Sequence, residues 1–326
     1  MRLRAWKMII IVLMAGLLPL LPVLSFAQQF PTKPINLLVA FSLGLTTDTS
    51  TRMLASKAEK VLGQPFVISN NAAAGGSVAL GITAKEKPDG YHLVSTLSPP
   101  LVLMPHIRSV PYKLDDFSPI MHFGVTQSGL VVRSDSPWKS LRELVDYAKK
   151  NPWKVTYAVM GTGTAPHIAM EYVAKQEGGI PWTLVPYKSD PNVPLLGGHV
   201  SAYSGGSGWT PHVKSGTLRL LATHGEKRMK TFPDVPTIRE LGYDFVNPAV
   251  YMFTAPKGTP LSITKKLDDA FRKAMDDPEF VRYMEQMELE ITYRNHEDLK
   301  KYLEGAYDRF GKIVAELKIP KESETK

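Results

Sequence analysis

Two stretches of this chain have the residue types to hold a carboxylate without arginine: Phe41-Ser42-Leu43-Gly44-Leu45-Thr46-Thr47-Asp48 and Val159-Met160-Gly161-Thr162-Gly163-Thr164. Each follows a short apolar run and precedes helical spacing, so each reads as a loop that opens a helix. The first N–H groups of a helix have no intrahelical acceptor and lie at the positive end of its dipole, and threonine hydroxyls add further donors. The competing use of such residues is ordinary capping. One such loop in each half of the chain points instead to a shared cleft, because ligands of open α/β sheets sit beyond the carboxyl ends of the strands.

Other chemistry finds less support. The eight histidines stand at 92, 106, 122, 167, 199, 212, 224 and 296, and no two are three or four apart, so no helix face presents a histidine pair to zinc. Zero cysteines exclude disulfides, thiolate metal sites, a thiol nucleophile and a lipid-modified cysteine. Gly205-Gly206-Ser207-Gly208-Trp209 comes near a nucleophile elbow, but Trp209 replaces the last glycine and no strand-to-helix pattern is expected around it. Ser136-Pro137-Trp138-Lys139 has S-x-x-K spacing without companion motifs, and Gly161 to Pro166 lacks the third glycine of a dinucleotide fingerprint. Neither a cofactor nor a metal is expected.

The elements that must position the loops follow from pattern. Ile35 to Phe41 suits a strand buried on both faces, and Thr46 to Leu62 a helix with Leu54, Ala58, Val61 and Leu62 inward, stopped by Gly63 and Pro65. Strand-like Phe66 to Ser69, helical Gly76 to Lys85 and strand-like His92 to Thr96 complete βαβαβ. A second unit runs through a helix capped by Ser140 and Glu143, a strand at Val155 to Val159, a helix to about Lys175, and strands at Thr183 to Tyr187 and Leu218 to Thr223. The remainder is expected to be mostly helical. Thr259 caps a helix whose inward face is Leu267, Ala270, Phe271 and Ala274. A last stripe of Leu299, Tyr302, Leu303, Ala306, Phe310, Ile313, Val314 and Leu317 faces a core.

With 326 residues, 44% hydrophobic and 21% charged, the chain is an ordinary globular polypeptide of roughly two domains. The formal charge of +8 includes Arg2, Arg4 and Lys7, and no run of five basic residues occurs, so no nucleic-acid partner is expected. Those three charges precede apolar Met8 to Leu24 and the small residues Ser25 and Ala27, which reads as a secretory signal peptide cleaved after Ala27; Pro19 and Pro22 disfavour a spanning anchor.

Further strings carry a resemblance. Phe30-Pro31-Thr32-Lys33-Pro34-Ile35, the Phe41 to Asp48 loop, Leu62-Gly63-Gln64-Pro65, Asn70 with Ala74-Gly75-Gly76, and Pro88-Asp89-Gly90-Tyr91 resemble the receptors of tripartite tricarboxylate transporters, the TctC or Bug family of solute-binding proteins. In the same order, Gly161 to Thr164 with His167, Val185-Pro186-Tyr187-Lys188, Leu195-Leu196-Gly197-Gly198, Phe232 to Thr237 and Ala255 to Pro260 are similar to that family over the whole mature chain.

The resemblance implies a periplasmic α/β protein of two lobes, residues 28–128 plus 251–326 and residues 129–250, each a mixed or parallel sheet flanked by helices with the ligand cleft between. It implies capture of a di- or tricarboxylate or related organic acid, presented to membrane transporter subunits or to a sensor. A secreted hydrolase or transferase using Ser207 or Asp48 in the same cleft is the alternative. Phe41, Ser42, Thr46, Thr47, Asp48, Gly161, Thr162, Gly163 and Thr164 would hold the carboxylate, partly through water, with Thr96 and His167 nearby. Ser204, Gly205, Gly206 and Ser207 would line the variable side. Trp209, Tyr203 and Tyr251 read as packing residues. The first loop departs from the common P-F-x-P-G-G-x-x-D form, having Ala40, Ser42, Leu43 and Leu45 in that stretch, and leucine does not adopt positive φ cheaply, so the backbone path or the ligand is expected to differ from the common type. The turn from Ser189 to Pro194 is shorter than usual.

Overall fold

The computed structural model describes residues 30–187 and 190–321. The expected signal peptide, and Ser189 in the shortened turn, lie outside the described residues. The strands are β1 (Ile35–Val39), β2 (Phe66–Asn70), β3 (His92–Leu97), β4 (Phe117–Thr126), β5 (Gly129–Arg133), β6 (Thr156–Val159), β7 (Thr183–Pro186), β8 (Ala202–Gly205), β9 (Leu218–Thr223) and β10 (Ala249–Pro256). The helices are α1 (Thr46–Leu62), α2 (Ser77–Thr83), α3 (Ser98–Val102), α4 (Met104–Ile107), α5 (Leu141–Lys150), α6 (Ala165–Gln176), α7 (Asn192–Leu196), α8 (Thr210–Lys214), α9 (Leu261–Ala274), α10 (Pro278–Gln286) and α11 (His296–Glu316).

Two five-stranded sheets share one plan, β2-β1-β3-β10-β4 and β7-β6-β8-β5-β9. In the first, β1 pairs in parallel with β2 and β3 while β10 runs antiparallel between β3 and β4. In the second, β6 pairs in parallel with β7 and β8 while β5 runs antiparallel between β8 and β9. Each sheet is thus completed by one antiparallel strand, β10 returning to the first after the second is built and β5 entering the second directly from β4. The chain crosses between sheets at residues 126–129 and again between β9 and β10, giving a two-lobed α/β fold. Both crossover units put the carboxyl ends of β1 and β6 at loops that start α1 and α6.

Local chemistry explains the elements that carry those loops. β1 buries Ile35, Leu37 and Val39, but Asn36 is exposed, so this strand is closed on one face rather than on both as its apolar run suggests. α1 ends where Gly63 turns left-handed at φ 71° and its N–H reaches Glu59 O at 2.8 Å. Its inward face is Leu54, Ala55, Ala58 and Leu62; Val61, expected inside, is 45% exposed because the stripe turns past it. α5 starts with Ser140 Oγ accepting from Glu143 N at 3.2 Å, while Glu143 reaches back to Lys139 N at 2.7 Å, one residue beyond an ideal capping box. Thr259 does not cap α9: its hydroxyl donates to Pro256 O at 2.8 Å, and Pro260 holds the cap position.

α11 ties the two halves together. Its Leu299, Leu303, Ala306, Phe310, Ile313 and Val314 are buried in a cluster that also contains Leu101 and Met252 from the first sheet's side and Val173, Ile238 and Phe245 from the second's. Phe310 meets Phe245 edge-on with centroids 5.9 Å apart, and Phe245 in turn meets Tyr172 of α6. Truncating this ring should therefore unseat contacts on both sides. Phe310→Ala is expected to lower unfolding free energy by about 3–5 kcal/mol, read from urea unfolding, whereas Lys312→Ala on the exposed face should stay within about 0.5 kcal/mol.

Candidate functional site

The first loop is held open by a buried polar triangle. Asp48 is 2% exposed in the first turn of α1 and accepts from Gly44 N and Arg52 Nε, each at 2.9 Å, and from Asn70 Nδ2 at 2.9 Å. Asn70, at the end of β2, also donates to Phe41 O at 3.0 Å and accepts from Arg52 at 2.9 Å. One carboxylate therefore fixes the far end of the loop while its asparagine partner fixes the near end. Burial opposes the charge on Asp48, but the Gly44 N–H, Asn70 and Arg52 outweigh it and hold the carboxyl below its ordinary pKa. The left-handed residue is Gly44 at φ 79°, and Leu45 sits at φ −70°. Gly44 makes the turn, so Leu45 needs no positive φ. Thr46 Oγ1 bonds Tyr251 OH at 2.9 Å, Thr47 is buried, and Ser42 and Leu43 are exposed.

The second loop is braced differently. Gly161 and Gly163 are both left-handed, Thr164 Oγ1 donates to Gly161 O at 3.0 Å, and Gly163 N–H donates to His167 Nδ1 at 3.0 Å. His167 must be neutral at Nδ1 to accept that bond, and burial lowers its pKa, with Glu171 opposing weakly. A Cβ on Gly163 would come 2.9 Å from Ile107 of α4, so position 163 requires glycine for contact with the other half as well as for φ. Leu45 and Thr164 hold the cap positions of α1 and α6, and neither makes a side-chain cap bond. The capping role expected of these loops is thus not taken up by their own cap side chains.

The third segment departs from expectation. Gly205 ends β8 and a short turn through Ser207 and Trp209 leads into α8, so a strand-to-helix junction does surround this stretch; its four-residue strand and proline-started five-residue helix leave too little periodicity to read. Ser207 Oγ meets Thr126 Oγ1 at 3.2 Å, a neutral hydroxyl at the end of β4 that lacks the basicity to activate a nucleophile. Gly206 is exposed, Gly205 is buried, and Ser204 Oγ donates to Pro166 O at 3.1 Å, tying β8 to the start of α6. Thr96 is fully buried and donates to Leu97 O. Trp209, Tyr203 and Tyr251 are buried, and Trp209 Nε1 donates to Gly205 O at 3.1 Å.

A cavity of about 200 Å³ lies against the second loop. Thr162, Gly163, Thr164, Ala165 and Pro166 form one wall, and Pro99, Leu103, Met104 and Arg108 of the α3–α4 region form the other, with Ser128, Asn247 and Ala249 from the crossing segments. The first loop is not among these walls; nearby, a Cβ added at Gly76 would come 2.8 Å from Ala40 O and one added at Gly75 would come 3.0 Å from the Met104 methyl. Arg108 is the one formally charged side chain lining the cavity, and sequence reading missed it, as it missed Asn247. Its signal was present: Arg108 is the only Lys, Arg, Asp or Glu between Asp89 and Lys113. Two larger cavities, about 390 and 340 Å³, lie where 285–294 meets 226–231, and there Glu288, Glu290 and Glu226 already pair with Lys214, Lys230 and Arg294.

Residues 50–319 match the family model described as "Tripartite tricarboxylate transporter family receptor", beginning just past the first loop. The chain is 37% identical over 259 residues to Protein BugT of Bordetella pertussis, spanning 76% of this chain and 78% of that one. Among solved structures, an R. palustris protein with adipate is similar at TM-score 0.74 and 26% identity, covering 90% of this chain and all of the other. A Rhodopseudomonas palustris protein with bound malate is similar at TM-score 0.70 and 25% identity, covering 87% and 100%.

Both braces are testable. Asp48→Ala should cost about 2 kcal/mol at neutral pH, a value already reduced for the half-exposed Arg52. Because the Asp48 pKa is depressed on folding, that advantage is full above the ordinary carboxylate value and disappears as pH falls through the depressed one. Urea midpoints of the wild type and variant should therefore converge in acid. For His167, whose pKa is also depressed, stability is lost as pH falls below 6.5. His167→Phe should remove part of that loss, while the contribution of His224, pushed down to about 4, begins from the same 6.5 and continues to its own lower value.

Proposed function

Because the chain belongs to the family of tripartite tricarboxylate transporter receptors, we propose that it captures a small organic acid between its two lobes and presents it to the membrane subunits of such a transporter. The observation that carries this reading is the inter-lobe cavity, with the start of α6 on one wall and Arg108 on the other. A carboxylate placed there gains charge-assisted bonds from the guanidinium together with the helix-start donors. The similar proteins solved with adipate and with malate bind acids of this kind.

In this reading Thr162, Thr164 and Arg108 hold the carboxylate, and Gly163, whose N–H is taken by His167, makes the turn between them. The Phe41 to Asp48 loop closes on it from the other lobe, partly through ordered water, which need not weaken binding. Thr96 and Asp48 act from behind, by holding strand and loop in place. Gly205, Gly206 and Ser207 border the same entrance, adjoining α6 through Ser204. Residues 28–128 plus 251–326 move as one lobe against 129–250, with the crossings at 126–129 and 247–249 as hinges. A ligand touching both lobes favours the closed form by its differential affinity. The charged start, apolar Met8 to Leu24 and Ser25-Phe26-Ala27 support export to the periplasm. Ser207 is a binding-site neighbour here rather than a nucleophile, since its hydroxyl partner is Thr126.

The test is direct. Mass spectrometry of small molecules released from natively purified protein should find a carboxylate. Adding it back at a hundredfold excess over Kd should stabilise the native state by about 2.7 kcal/mol, raise Tm, and reduce the radius of gyration in small-angle scattering. A broad panel of organic acids that changes neither Tm nor scattering, or an acid that is converted to product on incubation, would overturn the reading.

A further inference from the structure

The segments that cross between the sheets have two faces, and each face looks into a different space. Along the first crossing, Val125 and Gln127 line the two larger cavities, while Ser128 lines the smaller one and Thr126 reaches Ser207. Along the second, Pro248 lines a larger cavity, and Asn247 and Ala249 line the smaller. Such alternation is that of extended chain, so the proposed ligand cavity lies on one side of the crossings and the larger cavities lie on the other. The crossings themselves are closely joined. His224 N–H donates to Ser128 O and Asn247 N–H to His224 O, each at 2.8 Å, and a Cβ added at Gly225 would come 2.0 Å from Gln127 Oε1. Two bodies turning about such a seam move apart on one face as they approach on the other.

The face away from the ligand cavity is held by charge. Segment 290–294 is paired to β4, Val125 and Glu290 exchanging bonds of 2.9 and 3.0 Å, so it belongs to the first lobe. Just before it, Glu288 accepts from Lys214 Nζ and, at 2.6 Å, from Thr231 Oγ1. Glu290 meets Lys230 at 3.6 Å and Arg294 meets Glu226 at 3.4 Å. All four partners lie within residues 129–250. Glu285 and Lys227 also line these cavities, so three glutamates and one arginine on one side face three lysines and one glutamate on the other, with net charges of opposite sign. Glu288 is in addition a locally unfavourable choice. It follows the cap of α10 at φ 54°, where Leu289 N–H reaches Met284 O at 2.8 Å, a left-handed position that suits glycine best. A side chain kept there against local preference points to the partners it reaches.

We propose that these three ion pairs form a latch behind the hinge, which holds the lobes open until a ligand draws them together on the opposite face. The inference rests on the two-lobe carboxylate reading and deepens it, assigning the balance between open and closed forms to residues outside the ligand cavity. Closing the front separates Glu288, Glu290 and Arg294 from Lys214, Lys230 and Glu226, and that loss is subtracted from the affinity. An apparent dissociation constant equals the intrinsic one divided by the fraction of protein in the binding form. Partly exposed pairs are weak singly, so the latch sets that fraction without locking it. It also responds to salt, which screens exposed charges.

Glu288→Gly removes the central carboxylate of the latch and supplies the residue that the end of α10 favours, so its ligand-free Tm should equal or exceed that of the wild type. Its Kd for the tightest-binding acid of a panel that includes adipate and malate should fall about threefold. Adding Glu226→Gln and Glu290→Gln should bring the fall to about tenfold and shrink the ligand-free radius of gyration in small-angle scattering. Sodium chloride at about 0.5 M should shrink the ligand-free wild type likewise and leave the triple variant unchanged. A folded Glu288→Gly protein whose Kd is unchanged or higher would overturn the latch and leave the carboxylate reading standing. If no acid of the panel binds the wild type, the carboxylate reading falls and the ligand-free scattering decides alone: a triple variant as extended as the wild type, or more so, overturns the latch as well.

Discussion

A site built from backbone N–H groups works only if those groups are kept from bonding within their own loop. Flexible loops satisfy their donors internally, since an unpaired buried N–H is costly. Here each loop is fixed by a side chain that takes one chosen donor and leaves the others. Asp48 accepts from Gly44 and is itself held by Arg52 and Asn70; His167 accepts from Gly163. The two braces differ in chemistry, a charged carboxylate in one lobe and a neutral imidazole in the other, but they do the same mechanical task. Each leaves the helix start that follows it uncapped by its own cap residue.

The sheet plan puts each of those starts at the carboxyl end of a parallel strand, β1 in one sheet and β6 in the other. In both sheets four strands run parallel, and the antiparallel fifth, β10 in one and β5 in the other, follows directly on a crossing between the sheets. β4 leads straight into β5, and β9 returns through residues 224–248 to β10, so the crossing segments lie beside the strand ends that carry the loops. Asn247 and Ser128 line the cavity for this reason, being parts of the two crossings. Ser207 and Thr126 bond across the same junction. α11 adds a third tie by burying one face in a cluster shared by both halves.

Local pattern made much of this legible. The limits of α1 were readable because Gly63 and Pro65 stop it and Thr46 begins it, and the last helix because its apolar residues recur over five turns. What escaped was non-local. β10 has an apolar run suited to a strand, yet its neighbours are β3 and β4, more than 120 residues earlier. β4 carries Pro119, which argues against a strand until it is seen at the sheet's edge, where a missing N–H leaves no ladder bond broken. In the site, the two loops were visible as hydroxyl- and glycine-rich junctions. Arg108 was not, because its role depends on α3 and α4 folding it against a loop more than fifty residues downstream. Asp48 was visible, but its partners Asn70 and Arg52 turn it from a surface group into an internal brace.

Leu45 shows how a sequence departure and its structural meaning can differ. A turn that enters a helix needs two things, one residue able to adopt positive φ and one residue at the cap. If a single position served both, leucine there would strain the backbone. Gly44 takes the left-handed conformation at φ 79°, which leaves Leu45 in ordinary extended geometry at φ −70°. The backbone cost is therefore removed, and what remains is a difference in side chain alone: a leucine, half exposed, where a short polar group would have bonded the helix. Since the loop's path is set by Gly44 and by the Asp48 triangle, the side chain at 45 is free to vary without altering the anchor. Positions of that kind, fixed in backbone and exposed in side chain, can change residue while the loop that carries them keeps its path.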